Sequence, residues 1–143
     1  MRSQYAAIGS GGYSAVIKYC DIDAVSTNDS GIVGNGDVYI EGIADGSNNV
    51  TLRCAGYGIN GGGCPVTVKY CDVEVTGATQ NEAGQYGFCG YSGIFEGSGA
   101  GMNIIGCASG NMVVVRSNSS GIEGAGCSVN IQNCSVDVVA KGE

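Results

Sequence analysis

The sequence contains no histidine, and this absence removes several kinds of chemistry at once. Ser-His-Asp and Cys-His nucleophilic systems need an imidazole as general base, and many zinc sites need one as a ligand. No CxxC spacing occurs among the cysteines either, which further disfavours zinc. The chain therefore offers neither a histidine-based nucleophilic centre nor a recognisable zinc centre.

Positive charge is also scarce. Six Lys and Arg residues stand against thirteen Asp and Glu residues, which gives a net charge of −7. A nucleic-acid partner requires a positive surface that releases counterions, so we set that class of partner aside. The sequence lacks any apolar run of about eighteen residues, so we expect no membrane span. The first repeat begins soon after Met1, with no visible signal peptide.

What the sequence does contain is a repeated pattern, clearest in GINGGGCPVTVKYCDVEVTG at positions 58–77. Good copies read IGSGGYSAVIKYCDIDAV from position 8 and GIEGAGCSVNIQNCSVDVV from position 121, and weaker copies begin at positions 31 and 93. One isoleucine marks each copy: Ile8, Ile32, Ile59, Ile94 and Ile122. Self-similarity with a period of roughly 20–50 residues is typical of a solenoid.

Within each copy, apolar and polar residues alternate, as at positions 66–68 and 71–75, which predicts strands with one buried face. Lys69-Tyr70 adds one residue to the alternation, and Lys18-Tyr19 and Gln132-Asn133 do the same in their copies. We therefore expect the chain to bend at these pairs. We expect a third strand in each turn, visible at positions 50–54 and 112–116. Glycine at 27 of 143 positions disfavours helices.

The copies predict about five coils in one domain, residues 1–143. The third coil carries extra residues at 78–85, which form either a binding loop or an inert surface loop. In the fourth coil, closely spaced Gly97, Gly99 and Gly101 predict an irregular first strand. Neither end shows a cap, so we expect exposed strand edges. The chain is then either a segment of a longer solenoid or a unit that stacks on copies of itself.

The motifs GI-x-G-x-G, V-T-V-x-x-C-x-V-x-V-T-G and N-N-V-T-L resemble the right-handed parallel β-helix repeat proteins of the pectate-lyase-like superfold. The resemblance covers nearly the whole chain and implies an all-β, right-handed parallel β-helix, often secreted or attached to a surface. Enzymes of that family cleave acidic polysaccharides with a calcium-holding aspartate cluster and a basic residue. No catalytic motif of theirs aligns with this chain residue by residue, so we carry over the fold and not the activity.

The eight cysteines fall at repeated positions. Cys20, Cys71, Cys107 and Cys134 align at one inward position as a cysteine ladder, with Ile43 in the second coil; Cys54 aligns with Cys89, and Cys64 with Cys127. Positions that also accept Ile, Ser or Thr favour a small buried filler over a disulfide framework. Cys54 with Cys89 and Cys107 with Cys134 are the candidate disulfide pairs, because stacked Cα atoms about 4.8 Å apart are within reach of a bridge.

Outward-facing carboxylates are expected to stack along one face of the solenoid. Asp21 aligns with Asp72, and Asp23 aligns with Glu74 and Asp137. Carboxylates on one face could hold a hard cation such as calcium. The alternative, which we favour, is that they keep an exposed sheet solvated and block edge pairing.

Tyr19 and Tyr70 flank the expected bends beside Asp21 and Asp72. Tyrosine rings next to carboxylates form a surface on which sugar rings can stack, so these residues, with the other aligned carboxylates, are the candidate ligand-binding residues. The alternative is that tyrosine is simply a common strand residue.

The basic residues also recur with the repeat. Arg53 and Arg116 lie two coils apart. They either bind a carboxylated sugar or are solitary surface arginines, and we favour the second interpretation. Lys18, Glu41 and Lys69 occupy the same outward place in successive coils, which predicts cross-strand ion pairs.

The sequence favours a non-catalytic extracellular or cell-surface repeat module that is structural and adhesive or binds a glycan. One alternative is a filament subunit that stacks end to end through uncapped coils. Another is a polysaccharide lyase or hydrolase of the same superfold, which would need clustered carboxylates beside a Lys or Arg. The expected partners are a glycan or copies of the chain itself. No cofactor is expected, and calcium is the alternative.

Overall fold

The computed structural model describes residues 1–80, 87–97 and 100–142. In these ranges the chain has no helix and forms three parallel β-sheets wound into a solenoid of about five coils. The expected all-β solenoid is confirmed. Each coil contributes one strand to each sheet, and we name the sheets the isoleucine sheet, the middle sheet and the long sheet in the order in which a coil enters them.

The isoleucine sheet consists of β2 (Ile8–Gly9), β5 (Ile32–Val33), β8 (Ile59–Asn60), β11 (Ile94–Glu96) and β14 (Ile122–Gly124). The middle sheet consists of β3 (Ala15–Lys18), β6 (Val38–Glu41), β9 (Val66–Lys69), β12 (Met102–Ile105) and β15 (Val129–Gln132). The long sheet consists of β1 (Arg2–Ser3), β4 (Ile22–Ser26), β7 (Asn48–Cys54), β10 (Cys71–Gly77), β13 (Asn111–Ser117) and β16 (Cys134–Ala140).

The register follows the isoleucines that mark the repeat. Each of the first four pairs with the isoleucine of the next coil, from Ile8 through to Ile122. The three central isoleucines are fully buried. The strands of the middle and long sheets bury alternate residues, as in Val66 and Val68, and these side chains fill a continuous core column. The alternation of the sequence therefore predicts the buried faces correctly.

The corner between the middle and long sheets has two forms. In coils one, three and five a single residue turns the chain, and Tyr19, Tyr70 and Asn133 adopt left-handed φ values of 56°, 56° and 52°. The expected bends at these positions are confirmed. In coils two and four a loop of several residues makes the same corner, after Glu41 and Ile105 respectively. The structure therefore has an alternation of corner types with a period of two coils.

The strands predicted at positions 50–54 and 112–116 are present, but their assignment as the third strand of the coil is wrong. Residues 50–54 belong to β7, and Val50 pairs with Val73 of β10, so β7 is the second coil's version of the strand that follows Tyr70 in the third coil. In the same way, Val113 of β13 pairs with Val73. In coils two and four the longer corner loop places the long-sheet strand further along the sequence from the middle-sheet strand. For this reason the long-sheet strand resembles an additional strand when the repeats are aligned. The actual third strand of each coil is the short strand at the isoleucine.

The two ends of the solenoid differ. At the fifth coil the inward-facing Val129, Ile131, Val136 and Val138 are between 37 and 45% exposed, whereas Met102, Ile104, Val113 and Val115, with which they pair, are at most 2% exposed. At the first coil β1 pairs with Val25 and Ser26, the last two residues of β4, and is the outermost strand of the long sheet. The exposed strand edge expected at this end therefore belongs to β1.

Candidate functional site

The acidic residues singled out in the sequence do share the outer face of the long sheet. Asp23, Thr51, Glu74, Val114 and Asp137 form one column in successive coils through direct strand pairing. The predicted alignment of Asp23, Glu74 and Asp137 is therefore correct. Because an intervening strand separates each carboxylate from the next, they lie two strand spacings apart, or about 10 Å.

Asp21 and Asp72 each hold the beginning of the next coil's long strand. Oδ1 of Asp21 accepts hydrogen bonds from the backbone N–H of Asn49 at 2.9 Å and from the side-chain amide of Asn48 at 3.2 Å. These two bonds, the first being the stronger cause, lower the pKa of Asp21. Oδ1 of Asp72 makes the equivalent bonds to Met112 and Asn111 at 2.8 and 2.9 Å. Both carboxylates thus have a structural role in joining successive coils.

Two further carboxylates pair with arginines. Asp23 accepts from Arg53 of the adjacent strand, and Asp137 accepts from both terminal nitrogens of Arg116, at 2.6 Å from Nη2 and 3.2 Å from Nη1. The Arg116 guanidinium lowers the pKa of Asp137. The interpretation of these arginines as solitary surface residues is wrong, since each neutralises a carboxylate of a neighbouring coil.

Glu74 is exposed and makes no hydrogen bond or ion pair with any described residue. In the described part of the chain no three His, Cys, Asp or Glu side chains come together in a group that could hold a metal ion. The outer face of the long sheet is thus largely a set of structural pairs, and calcium binding stays a prediction.

The two predicted tyrosines, Tyr19 and Tyr70, lie two coils apart. Tyr19 and Tyr70 occupy equivalent corners of coils one and three, and the longer corner of coil two lies between them. Their backbone N–H groups donate to Glu41 at 2.7 Å and to Ile105 at 2.8 Å. Their shared role in the structure is to make the left-handed corner, and sugar contact by these two residues stays a prediction.

The Lys18–Glu41–Lys69 column on the middle sheet is confirmed by direct strand pairing. Lys18 Nζ lies 3.0 Å from Glu41 Oε2, and this contact lowers the pKa of Glu41. Lys18 and Lys69 also approach the ring of Tyr39, at 5.0 and 5.6 Å from its centroid. The two lysines are therefore occupied with stabilising contacts to the second coil.

The proposed cysteine ladder holds only in part. Asn48 pairs with Cys71, and Asn111 pairs with Cys134, so asparagines take the equivalent position in coils two and four. Cys107 lies instead in the corner loop before Asn111, and so does Ile43 before Asn48, because these loops lengthen the corner. All eight cysteines are free thiols in the structure. Disulfide formation by Cys54 with Cys89 or by Cys107 with Cys134 stays a prediction.

A group of three aromatic residues that the sequence did not single out lies at the corner between the long and isoleucine sheets. The ring of Tyr57 stacks on Tyr91 with a centroid separation of 5.0 Å and an interplanar angle of 27°. The ring of Phe95 lies 4.9 Å from Tyr57 on the isoleucine sheet. Tyr91 is 57% exposed, so the stack presents an aromatic surface to solvent.

Beside this stack is an open cleft of about 420 Å³, which we call the tyrosine cleft. It is lined by Asn28, Asp29, Ser30, Val33, Ala55, Gly56, Tyr57, Asn60, Gly90 and Tyr91. Its volume is within the range of about 300–1,000 Å³ that is usual for small-ligand sites. The cleft therefore combines aromatic rings with several polar side chains in three successive coils.

Hydrogen bonds fix the polar wall of the tyrosine cleft to its aromatic wall. Asp29 Oδ1 accepts from the backbone N–H of Ser30 at 2.7 Å and from its hydroxyl at 3.2 Å. The hydroxyl oxygen of Ser30 in turn accepts from the backbone N–H of Tyr57 at 3.2 Å. Asn60 uses its Oδ1 to accept from Gly62 at 2.8 Å, which orients its amide. The site is thus preorganised by the backbone of adjacent coils.

Only a weak signal for this site is present in the sequence. Tyr57 precedes its isoleucine by two residues and Tyr91 precedes its own by three, so the two rings fall in different columns when the repeats are aligned. In the structure the backbone N–H of Tyr91 donates to Gly56, which places the two tyrosines diagonally in neighbouring coils. A search for aromatic residues within one position of each other across repeats would have found them.

Part of the predicted insertion, residues 81–85, lies outside the described residues, as does Gly99. No helix with the length and hydropathy needed to cross a bilayer occurs among the described residues. Comparison with protein-family models, with curated proteins and with solved structures found no match to this chain.

Proposed function

We propose that this solenoid is a non-catalytic glycan-binding module and that the tyrosine cleft is its binding site. The observation that carries the proposal is the stack of Tyr57 on Tyr91 beside a cleft with fixed polar groups. A sugar ring has an apolar face and a rim of hydroxyls, so it needs an aromatic surface and hydrogen-bonding groups at the same place. The tyrosine cleft supplies both.

The polar groups of the cleft suit hydroxyl recognition. Asp29 is exposed, and its Oδ1 is held by Ser30, which leaves Oδ2 without a partner among the described residues. A carboxylate oxygen accepts strong hydrogen bonds from hydroxyl groups. The side-chain amides of Asn28 and Asn60 supply donors, and the Asn60 amide is already oriented by Gly62. A short stretch of oligosaccharide would thus contact the rings with one face and these groups with its rim.

A glycan array with the purified protein tests the proposal, followed by titration calorimetry with the glycans that bind. The Tyr91→Ala variant should lose at least tenfold in affinity, because Tyr91 provides the exposed part of the aromatic surface. Tyr5→Ala is the matched control, since Tyr5 is also highly exposed but lies at the first coil outside the cleft. Absence of any glycan binding, or equal losses in both variants, would contradict the proposal.

The wider expectations from the sequence belong to the same proposal. We infer that the coil is right-handed, because parallel strand crossovers are right-handed in about 98% of cases. We also infer a relationship to the pectate-lyase-like superfold. An extracellular or cell-surface location agrees with a polysaccharide ligand, and fractionation of the source cells tests it. The lyase or hydrolase alternative is not favoured, since four of the aligned carboxylates are bound to Asn or Arg side chains.

End-to-end association is a second candidate, favoured by the uncovered core at the fifth coil. Four inward-facing side chains there are more than a third exposed, and β14, β15 and β16 each have one unpaired edge. Another β-coil, from a second copy of the chain, would cover these side chains and pair with these edges. This would make the module structural or adhesive as well.

Light scattering over a concentration series tests association. Growth in particle size with concentration is expected, and Val138→Lys on the inward face should abolish it. Val139→Lys, one residue further along β16 on the outward face, is the matched control and should leave association intact. A monomer at all concentrations would rule out the second candidate.

A further inference from the structure

The tyrosine cleft has an uneven charge distribution. Among the described residues that line it, Asp29 is the only charged one, and none is Lys or Arg. On the other side of the aromatic stack, Glu123 pairs with Phe95 in the isoleucine sheet and accepts a hydrogen bond from the Ser92 hydroxyl, next to Tyr91. Two carboxylates therefore flank the aromatic surface, in a chain whose net charge is −7.

Five of the six Lys and Arg residues make contacts elsewhere, Arg53 with Asp23 among them, and the sixth, Arg2, lies on β1 of the long sheet. Arg116 binds Asp137 on the long sheet, and Lys18 binds Glu41 on the middle sheet. Lys69 lies near Tyr39 on the middle sheet, and Lys141 lies 4.3 Å from the ring centroid of Phe88. None of them belongs to the lining of the tyrosine cleft. An anionic ligand in the cleft would thus meet negative charge without a compensating partner.

Hydrogen bonds fix the position of Asp29. Ser30 donates two hydrogen bonds to Oδ1, and the backbone carbonyl of Asp29 accepts from the N–H of Gly56 at 2.9 Å. Since Gly56 and Tyr57 are consecutive, the carboxylate is tied to the same stretch of backbone that carries the aromatic ring. It cannot swing away from a bound ligand without breaking these bonds.

We propose that the tyrosine cleft selects uncharged sugars, that is, neutral hexose or N-acetylhexosamine units, and excludes uronate and sulfated sugars. The inference rests on the proposed function, because it assumes that the cleft binds glycans. A neutral sugar donates hydroxyl hydrogen bonds to Asp29 and stacks on the tyrosines. A carboxylate or sulfate at the same place is repelled by Asp29 and Glu123, and because Asp29 is exposed, salt screens that repulsion.

The test compares array glycans that share a backbone and differ only in charge: neutral glycans, their uronate counterparts and their sulfated counterparts. Wild-type protein should bind neutral glycans and bind the acidic counterparts at least tenfold more weakly. Asp29→Asn keeps an oxygen for the Ser30 bonds and removes the charge. It should therefore reduce severalfold the ratio of the affinity for neutral glycans to the affinity for acidic glycans. Glu74→Gln removes one charge from the long sheet outside the cleft and should leave the ratio unchanged.

The outcomes separate the two claims. Preferential or equal binding of uronate or sulfated glycans overturns the selectivity and leaves glycan binding in place. A ratio that is the same in wild type and Asp29→Asn overturns the role assigned to Asp29. Absence of binding to every class of glycan overturns the proposed function together with the inference.

Discussion

Asp72 and Asn111 are bound to each other across adjacent coils, with the amide nitrogen of Asn111 2.9 Å from Asp72 Oδ1. The same amide nitrogen donates to the carbonyl of Gly46 at 3.1 Å, and Asn111 Oδ1 accepts from the N–H of Cys107 at 2.9 Å. Asn111 thus closes the corner loop of coil four and fastens it to coils two and three. Asp21 and Asn48 form the corresponding pair two coils earlier.

Asp72→Ala should destabilise the protein by about 1–3 kcal/mol, because it leaves the side-chain amide of the buried Asn111 and the N–H of Met112 with poorer partners. Chemical denaturation measures the change in the free energy of unfolding. Glu74→Ala removes a carboxylate two residues away that has no partner among the described residues, and it should change stability by less than about 0.5 kcal/mol. Equal effects of the two substitutions would show that the Asp72–Asn111 pair does not stabilise the coil junction.

Acid should weaken the fold through Asp21. Its pKa is lowered by the N–H of Asn49 and the amide of Asn48, so its ionised form stabilises the folded chain. That contribution is complete above the unfolded pKa of about 3.9 and is lost as pH falls from there through the lower folded-state pKa. Denaturation midpoints at pH about 6 and about 3 should therefore differ less in Asp21→Asn than in wild type. If the denaturation midpoint of Asp21→Asn fell as much between these pH values as that of the wild type, the stabilising role of ionised Asp21 would be contradicted.

The left-handed corners should reject β-branched residues. Tyr19 has a φ of 56° and is 62% exposed, so its substitution tests the backbone with little loss of packing. Tyr19→Val should destabilise the protein by about 1–2 kcal/mol, and Tyr19→Gly should be neutral or slightly stabilising. Tyr13→Val is the control, because Tyr13 is 80% exposed and is not among the residues with positive φ. Similar melting temperatures for the two valine variants would argue against strain at the corner.

The thiols should react in the order of their exposure. Cys20 is exposed, whereas burial raises the pKa of Cys71 to about 11 and leaves little thiolate to react. Cys54 and Cys89 are fully buried, and their mutual hydrogen bond, with burial, raises the pKa of Cys54. Timed alkylation with peptide mass spectrometry should find Cys20 modified first and these three only after unfolding. A non-reducing digest of the same sample shows whether Cys54 and Cys89 are linked.

Much of the fold is predictable because packing repeats with the sequence. The isoleucines align because each must fill the same place in the core column, and Lys69-Tyr70 marks a corner because one extra residue reverses the inward side. The identity of β7 was not predictable in this way, since the corner loop before Asn48 shifts the strand along the sequence without changing its place in the sheet.

The functional site is harder to predict for a related reason. Tyr19 and Tyr70 align in the sequence and lie two coils apart, whereas Tyr57 and Tyr91 are out of alignment by one residue and stack on each other. Contact between side chains in neighbouring coils depends on diagonal as well as direct neighbours. Alignment of repeats shows only the direct neighbours.

The most direct test of the account is a titration of isotope-labelled protein with the neutral glycan that binds best on the array. The readout is the change in the NMR chemical shift of each backbone amide. The account predicts that the shifts cluster at residues 28–33, 55–60 and 90–91, which line the tyrosine cleft. Shifts that cluster instead around Tyr19, Asp21, Tyr70 and Asp72 would place the ligand at the corners and the acidic face that the sequence suggested. That result would contradict the central claim.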